Sequence, residues 1–207
     1  RQMCIRDRMY SFYSLRNWCE TILGQLFDYL LCSKCGGQRG RQDQFRDIHL
    51  EVREMKSISQ MLDAFVAGEN LDGVECEVCN GRYTHKKALA IGKIPRILTL
   101  QLKRFDLDYN TWQRVKLNDQ VEIPKTLDML PYLKVSSTKD EPKSGTGATS
   151  MPYELISVLM HVGSALSGHY FAYIKDTSSE RWLKFNDAVV TELEDVQLDE
   201  ILGSSSN

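Results

Sequence analysis

Four of the six cysteines fall into two Cys-x-x-Cys pairs, Cys32 with Cys35 and Cys76 with Cys79. Gly36-Gly37 trails the first pair and Asn80-Gly81 the second, residues that accept positive φ at little cost. A metal knuckle needs such a turn, because the chain must fold back until two thiolates, each ~2.3 Å from the ion, face it at tetrahedral angles. Two knuckles supply four sulfurs, a closed set that suits structural Zn2+ and leaves no position for a substrate. Unrelated buried pairs or a redox dithiol would show the same spacing, but the duplication with matching turn residues favours zinc. His85 lies near Cys79 and, with four sulfurs already available, is expected at the surface.

The second group able to do chemistry is His169. His161-Val-Gly-Ser-Ala-Leu-Ser-Gly-His169-Tyr170 sets a small, flexible loop between two strands, with Gly168 directly before the histidine. Downstream, HYFAYI and RWLKF are joined by the polar stretch Asp176 to Glu180, which predicts a hairpin centred near Ser178. Antiparallel pairing about that centre sets His169 opposite Asn186 or Asp187. Directly opposed Cβ atoms lie ~4.5–5.5 Å apart, so an amide or carboxylate oxygen could accept the proton of one imidazole nitrogen and leave the other free. An imidazole held in one tautomer is the general base that a nucleophilic cysteine requires. A histidine at a strand start is more often a polar residue at a sheet edge; the hairpin register and the Gly-rich loop are what point to catalysis.

The elements that must position these residues read as several strands with few helices, an antiparallel α+β arrangement. GQLFDYLL leads into Cys32, and QFRDIHLEV, from Gln44 to Val52, alternates as a half-buried strand, so the first cysteine pair caps a strand pair. Ile58, Met61, Leu62 and Phe65 stand at helical spacing over Ser57 to Val66, with Ser57 and Gln60 as a capping box and Gly68 as a stop. In IPRILTLQLKRF, Leu98, Leu100 and Leu102 share one face of a strand. Further strands are expected over Val115 to Ile123, Tyr153 to Val162, His169 to Lys175 and Arg181 to Phe185. Residues 136–151 carry too little apolar content to pack and are expected to form a mobile insertion. A polar, acidic tail is expected over 191–207.

Composition narrows the classes. Lys and Arg total 26 against 28 Asp and Glu, a net charge of -2 that offers no field for a polyanion and weighs against nucleic acid as partner. No apolar run approaches the ~20 residues of a membrane span, and paired cysteines that read as metal ligands suit a reducing compartment; a cytoplasmic or nuclear location is expected. The opening RQMCIRDR has no periodicity and is set aside as a scar; residues 1–22 are expected to be scar or remnant.

The segments LCSKCGGQRGRQDQFRDIHL, ECEVCNGRYTHKKA, LTLQLKRFD, VKLND, SGHYFAYI and W-x-x-F-N-D, in this order, resemble the ubiquitin-specific proteases from about Leu26 to Val190. FDLDYNTWQRVKLNDQVEIPKTLDM narrows the likeness to one branch of that family. The resemblance implies a partial catalytic domain over 23–190: zinc-ribbon fingers at about 30–92 that grip ubiquitin, and a papain-like palm at about 93–190. His169 falls on the family's catalytic histidine, Asn186 on the third triad position and Asp187 on an adjacent acid. Phe105 and Tyr170 fall on positions similar to those lining the channel for ubiquitin's Gly-Gly tail, and His161 to Gly168 with Asp108 to Val115 resemble the two loops overhanging it, so that Phe105, His161 and Tyr170 are the ubiquitin-binding residues implied. Ubiquitin and ubiquitinated proteins are the partners implied, Zn2+ the only cofactor. The family's Cys box, with its Gly-Asn-x-Cys-Tyr core, has no counterpart among the 207 residues, and Cys4 and Cys19 lack its context. A fragment of a thiol-dependent deubiquitinase, inactive alone, is therefore expected; the alternative is a non-catalytic zinc-ribbon module that binds ubiquitin.

Overall fold

Strand β1, Gly24–Cys32, pairs antiparallel with two partners: β2, Gln38–Phe45, on one side and β5, Gly81–Lys93, on the other. β4, Glu69–Cys76, completes the sheet in the order β2-β1-β5-β4. The computed structural model describes residues 21–133 and 149–203, which divide into two units. This sheet belongs to the first, made of 21–49, 63–101 and 132–133; the second comprises 50–62, 102–131 and 149–203. The edge strand β2 is exposed at every position but Phe45 and carries Arg39, Arg41 and Asp43, the charged character that keeps an open edge from pairing with another chain. Gly40 is required there, since a Cβ would stand 2.2 Å from the Asp28 carbonyl oxygen.

QFRDIHLEV alternates as expected, with Ile48, Leu50 and Val52 buried, yet it breaks at Arg46 into β2 and β3, Asp47–Glu51, which pairs with β6, Thr99–Lys103. Helix α1, Ile58–Ala67, buries Ile58, Met61 and Leu62. Ser57 Oγ accepts from the Gln60 N–H at 3.3 Å, while the Gln60 side chain accepts from Lys56 N–H rather than from Ser57. Gly68, at φ 71°, ends the helix.

In the second unit β11, Ser157–Gly163, β12, Gly168–Asp176, β13, Arg181–Asn186, and β14, Val189–Glu192, form an antiparallel sheet in sequence order. β7, Phe105–Asp108, and β8, Gln113–Lys116, make a hairpin; β9, Thr126–Asp128, pairs with β10, Pro152–Glu154. Tyr173 and Trp182 pack with Leu198 and Leu202 into one core. The last two come from α2, Asp195–Ile201, and the residue after it, so the stretch expected as a polar tail contributes two of the most buried side chains in the unit. Its acidic residues disguise an apolar pair spaced one helical turn apart.

The strand expected over Val115 to Ile123 stops at Lys116. Arg104 Nη1 donates to the carbonyls of Leu117 and Asp119, at 3.0 and 2.8 Å, and takes those two acceptors out of any ladder, while Glu122 forms an isolated bridge with Ser57. Tyr153 to Val162 divides at Leu155 and Ile156 into β10 and β11. Most of the insertion expected at 136–151, and all but the last two residues of the remnant expected at 1–22, lie outside the described residues. Among the described residues no helix is long and apolar enough to cross a membrane.

Candidate metal centre and candidate active site

The two knuckles of the first unit converge. Cys32 ends β1 and Cys76 ends β4, on either side of β5, and the turns after them carry Cys35 and Cys79. One sulfur from each of the four lies within 4.8 Å of the others, and Cys35 Sγ stands 3.6 Å from Cys76 Sγ. A tetrahedron with ~2.3 Å arms has edges of ~3.8 Å, so the spacing fits a single zinc ion. The left-handed conformations fall where anticipated, at Gly36 (φ 69°) and Asn80 (φ 50°).

Backbone amides prepare the sulfurs for charge. N–H groups of Cys35 and Lys34 aim at the Cys32 sulfur and lower its pKa, and those of Cys79 and Val78 bring the Cys76 thiol down to about 7. Gly37 N–H donates to Cys35 Sγ at 3.3 Å. Cys79 is pushed up to about 12, first by its hydrogen bond with Cys35 and then by burial. Four crowded sulfurs cannot all ionise unless a cation joins them, which is what a divalent ion does. His85 corrects the surface expectation. It faces Cys32 across β1 and β5, is 3% exposed, and its Nδ1 lies 3.0 Å from the Tyr83 carbonyl oxygen, so burial is satisfied without a metal.

In the second unit β12 opens with Gly168-His169 and β13 closes with Asn186. His169 Nε2 lies 2.6 Å from Asn186 Oδ1 and 3.7 Å from Asp187 Oδ2. The pairing differs from the register read in the sequence. Asp176 opposes Arg181, leaving the four residues Thr177 to Glu180 in the turn, and the ladder ends at Ala172 with Phe185. The cause is the Asp176 carboxylate, which accepts from Ser178 N–H (3.0 Å), Ser178 Oγ (2.7 Å) and Ser179 Oγ (2.6 Å), with Glu180 left-handed at φ 57°. His169 and Asn186 therefore meet on a diagonal beyond the last pair, within reach of a long side chain. Asp187, at φ 50°, then turns the chain into β14.

A cleft of about 770 Å3 is walled by the β7–β8 hairpin on one side and by β11, β12 and the Ser164–Ser167 loop on the other; Gly168 and Tyr170, the chain neighbours of His169, line it, whereas His169, Asn186 and Asp187 do not. Phe105, His161 and Tyr170 all line it: the ring centroids of Phe105 and His161 are 5.1 Å apart, those of His161 and Tyr170 4.7 Å. Phe105 is 46% exposed and Tyr170 55%, so both present open aromatic faces. Burial, and then the Lys116 ammonium, hold the His161 imidazole below its ordinary pKa, and its Nδ1 is buried without a hydrogen-bond partner among the described residues. Gly168 has to be glycine, because a Cβ would stand 2.4 Å from the Val162 carbonyl oxygen and 2.1 Å from His161 Nε2. Sequence reading passed over Lys116 and Arg114; a strand that alternates polar and apolar residues gives no sign that its lysine faces inward.

Residues 14–205 match the ubiquitin carboxyl-terminal hydrolase family. Human ubiquitin carboxyl-terminal hydrolase 47 is 34% identical over 242 aligned residues, which cover 90% of this chain and 18% of the human protein. The Drosophila melanogaster probable ubiquitin carboxyl-terminal hydrolase FAF is 32% identical over 83% of this chain and 7% of its own length. Among solved structures, a chain of the SAGA Ubp8/Sgf11/Sus1/Sgf73 DUB module bound to ubiquitin aldehyde superposes with a TM-score of 0.75 at 32% identity, covering 86% of this chain and 39% of that one. A second structure of that module, bound to monoubiquitin, gives 0.75 at 30% identity over 86% of this chain and 38% of its own. The chain thus spans less than a fifth of the curated relatives it matches. Those relatives include hydrolase 47 proteins of human, mouse, fruit fly and frog, at 31% to 34% identity. On sequence and fold alike, the chain belongs to the ubiquitin carboxyl-terminal hydrolase family, as a ubiquitin-specific protease of the hydrolase 47 branch.

Proposed function

We propose that the chain is the fingers and palm of a thiol-dependent deubiquitinase that hydrolyses the isopeptide or peptide bond after the C-terminal glycine of ubiquitin. The observation that carries this reading is the 2.6 Å contact between His169 Nε2 and Asn186 Oδ1. An amide oxygen only accepts, so Nε2 bears the proton and Nδ1 keeps its lone pair for a thiol. Nδ1 takes the proton as the cysteine sulfur attacks the glycine carbonyl carbon. It returns that proton to the departing lysine amine, and a water molecule, activated by the same nitrogen, hydrolyses the thioester. Asp187, 3.7 Å away, adds negative charge that favours the transient imidazolium. Phe105, His161 and Tyr170 line the path of the substrate's tail, and a narrow aromatic cleft selects for residues without Cβ.

The four cysteines of the metal centre have their sulfurs turned toward one another and are not available as nucleophile. On this reading zinc is structural, the nucleophile belongs to a Cys box not contained in the 207 residues, and the chain alone is inactive. The fingers occupy about 30–92 and the palm about 93–190. A cytoplasmic or nuclear setting, where thiols stay reduced, suits both sulfur roles. The test is turnover of a ubiquitin C-terminal fluorogenic substrate. The full-length enzyme is expected to lose on the order of 10²–10⁴-fold in rate on His169→Ala, and the 207-residue chain to give none. Thiol-dependent turnover by the chain alone would overturn the assignment of the nucleophile. A second reading, a non-catalytic ubiquitin-binding module, is favoured by the absence of Gly-Asn-x-Cys-Tyr from these residues; a full-length message without that motif would establish it.

A further inference from the structure

Lys116 is the last residue of β8, directly paired with Phe105 at the start of β7. Its ammonium donates to the His161 carbonyl oxygen at 2.8 Å and to that of Gly163 at 3.3 Å. Those two carbonyls belong to alternate residues of β11, the edge strand of its sheet, on the side away from β12. They are acceptors that an edge leaves without a ladder partner. Lys116 supplies what a neighbouring strand would supply, and it does so from the opposite wall of the cleft. The tie also falls at the root of the Ser164–Ser167 loop, which closes on itself through Ser164 N–H to Ser167 carbonyl at 2.8 Å and through Ser164 Oγ, which accepts from the amides of Leu166 and Ser167. Leu166 at its tip is 84% exposed, so the loop's one large apolar side chain gives it no anchor.

We propose that Lys116 is a positioning residue that sets the width of the cleft, by clamping the strand that carries Phe105 to the edge carbonyls of His161 and Gly163. A charge-assisted donor shared between two carbonyls is stronger than a neutral hydrogen bond, and Lys116 is part-buried, so water competes poorly for it. With the clamp in place, the Phe105 and His161 rings stand 5.1 Å apart and the Ser164–Ser167 loop leaves from a fixed base. Without it, the Phe105–His161 ring contact holds the two walls less firmly, and a slender peptide loses contact with one of them. Lys116 touches no reacting atom; its effect is on the affinity for the tail rather than on proton transfer at His169.

The inference rests on the reading of the cleft as the channel for ubiquitin's C-terminal tail, and the test separates the two. Affinities of the zinc-loaded chain are measured for intact ubiquitin and for ubiquitin lacking its last residues. Equal affinities in the wild type would remove the tail reading itself. If the wild type prefers intact ubiquitin, Lys116→Met is expected to lower that affinity on the order of tenfold and to leave the truncated form unchanged. Lys116→Arg, which keeps the charge and can reach both carbonyls, is expected to recover most of the loss. Lys116→Gln, a shorter donor without the charge, serves as second variant if the methionine unfolds the chain, and the same tail-specific loss is expected. Unchanged discrimination in these variants, or an equal loss for both forms of ubiquitin, would overturn the role of Lys116.

Discussion

At His169 the placement of a single proton decides what the residue can do. The imidazole is half exposed and has two oxygen neighbours of different kinds, the amide of Asn186 in direct contact and the carboxylate of Asp187 farther off. If the amide sets the tautomer, 15N NMR of the neutral ring should find Nε2 protonated and Nδ1 bare, with the pattern unchanged by Asp187→Ala. Asn186→Ala should give a mixture of tautomers. The opposite ranking would transfer the orienting role to Asp187. The neighbourhood of both partners was legible in the hairpin but the register was not: the observed pairing extends to set His169 opposite Ala188, and Asn186 reaches it on a diagonal. Lys116 and His85 were not legible, since the burial of a polar side chain depends on which carbonyls happen to lie unpaired near it. That is set by other strands: β11 leaves two acceptors open for Lys116, and Tyr83 offers one to His85.

Elements were legible where one face is apolar and illegible where chemistry interrupts the period. β6 and α1 came through because Leu100 and Leu102, or Ile58, Met61 and Leu62, repeat at the spacing of their element. The strand read over Val115 to Ile123 stops at Lys116, where Arg104 occupies the Leu117 and Asp119 carbonyls, and Glu122 farther on forms an isolated bridge with Ser57. The β12–β13 hairpin was found, but its centre was misplaced by the carboxylate of Asp176, and that carboxylate carries a testable consequence. Hydrogen bonds from Ser179 and Ser178 hold its pKa at about 2, below the ordinary 3.8. A group whose folded pKa is depressed stabilises the fold fully above 3.8, and the contribution disappears as pH falls through about 2. Asp176→Asn should therefore destabilise the hairpin at neutral pH, read by amide exchange across Ala172 to Phe185. The difference from wild type should shrink toward pH 2. A difference that persisted at that pH would show that the amide disturbs the turn sterically rather than through lost charge.

On the scale of the molecule, the two units are held by different means. The second has a core of Tyr173, Trp182, Leu198 and Leu202, with Val158, Met160 and Phe171 packed against it. The outer end of the first unit's sheet has little comparable packing. Beyond Ala88, β5 runs through Lys87, Lys86, Thr84 and Arg82; β2 is exposed from Gln38 to Gln44, with no large apolar side chain there, and Val78 in the second knuckle is 73% exposed. The buried groups at that end are Cys32, Cys76 and His85, which supply ligands and hydrogen bonds rather than much apolar area. If the four sulfurs hold zinc, as proposed, removing it takes away the cation that lets them share one place, and the ends of β1 and β4 and the start of β5 lose what joins them. A strong chelator is therefore expected to release amide protection around Cys32, Cys76 and His85. The blue-shifted emission of Trp182, 9% exposed, should persist, followed with Trp18 and Trp112 replaced by phenylalanine. Joint loss of both signals would mean that the second core does not stand without the metal. Unchanged protection around His85 would mean that hydrogen bonds alone close the ribbon, and the four-sulfur site would then lose its structural role.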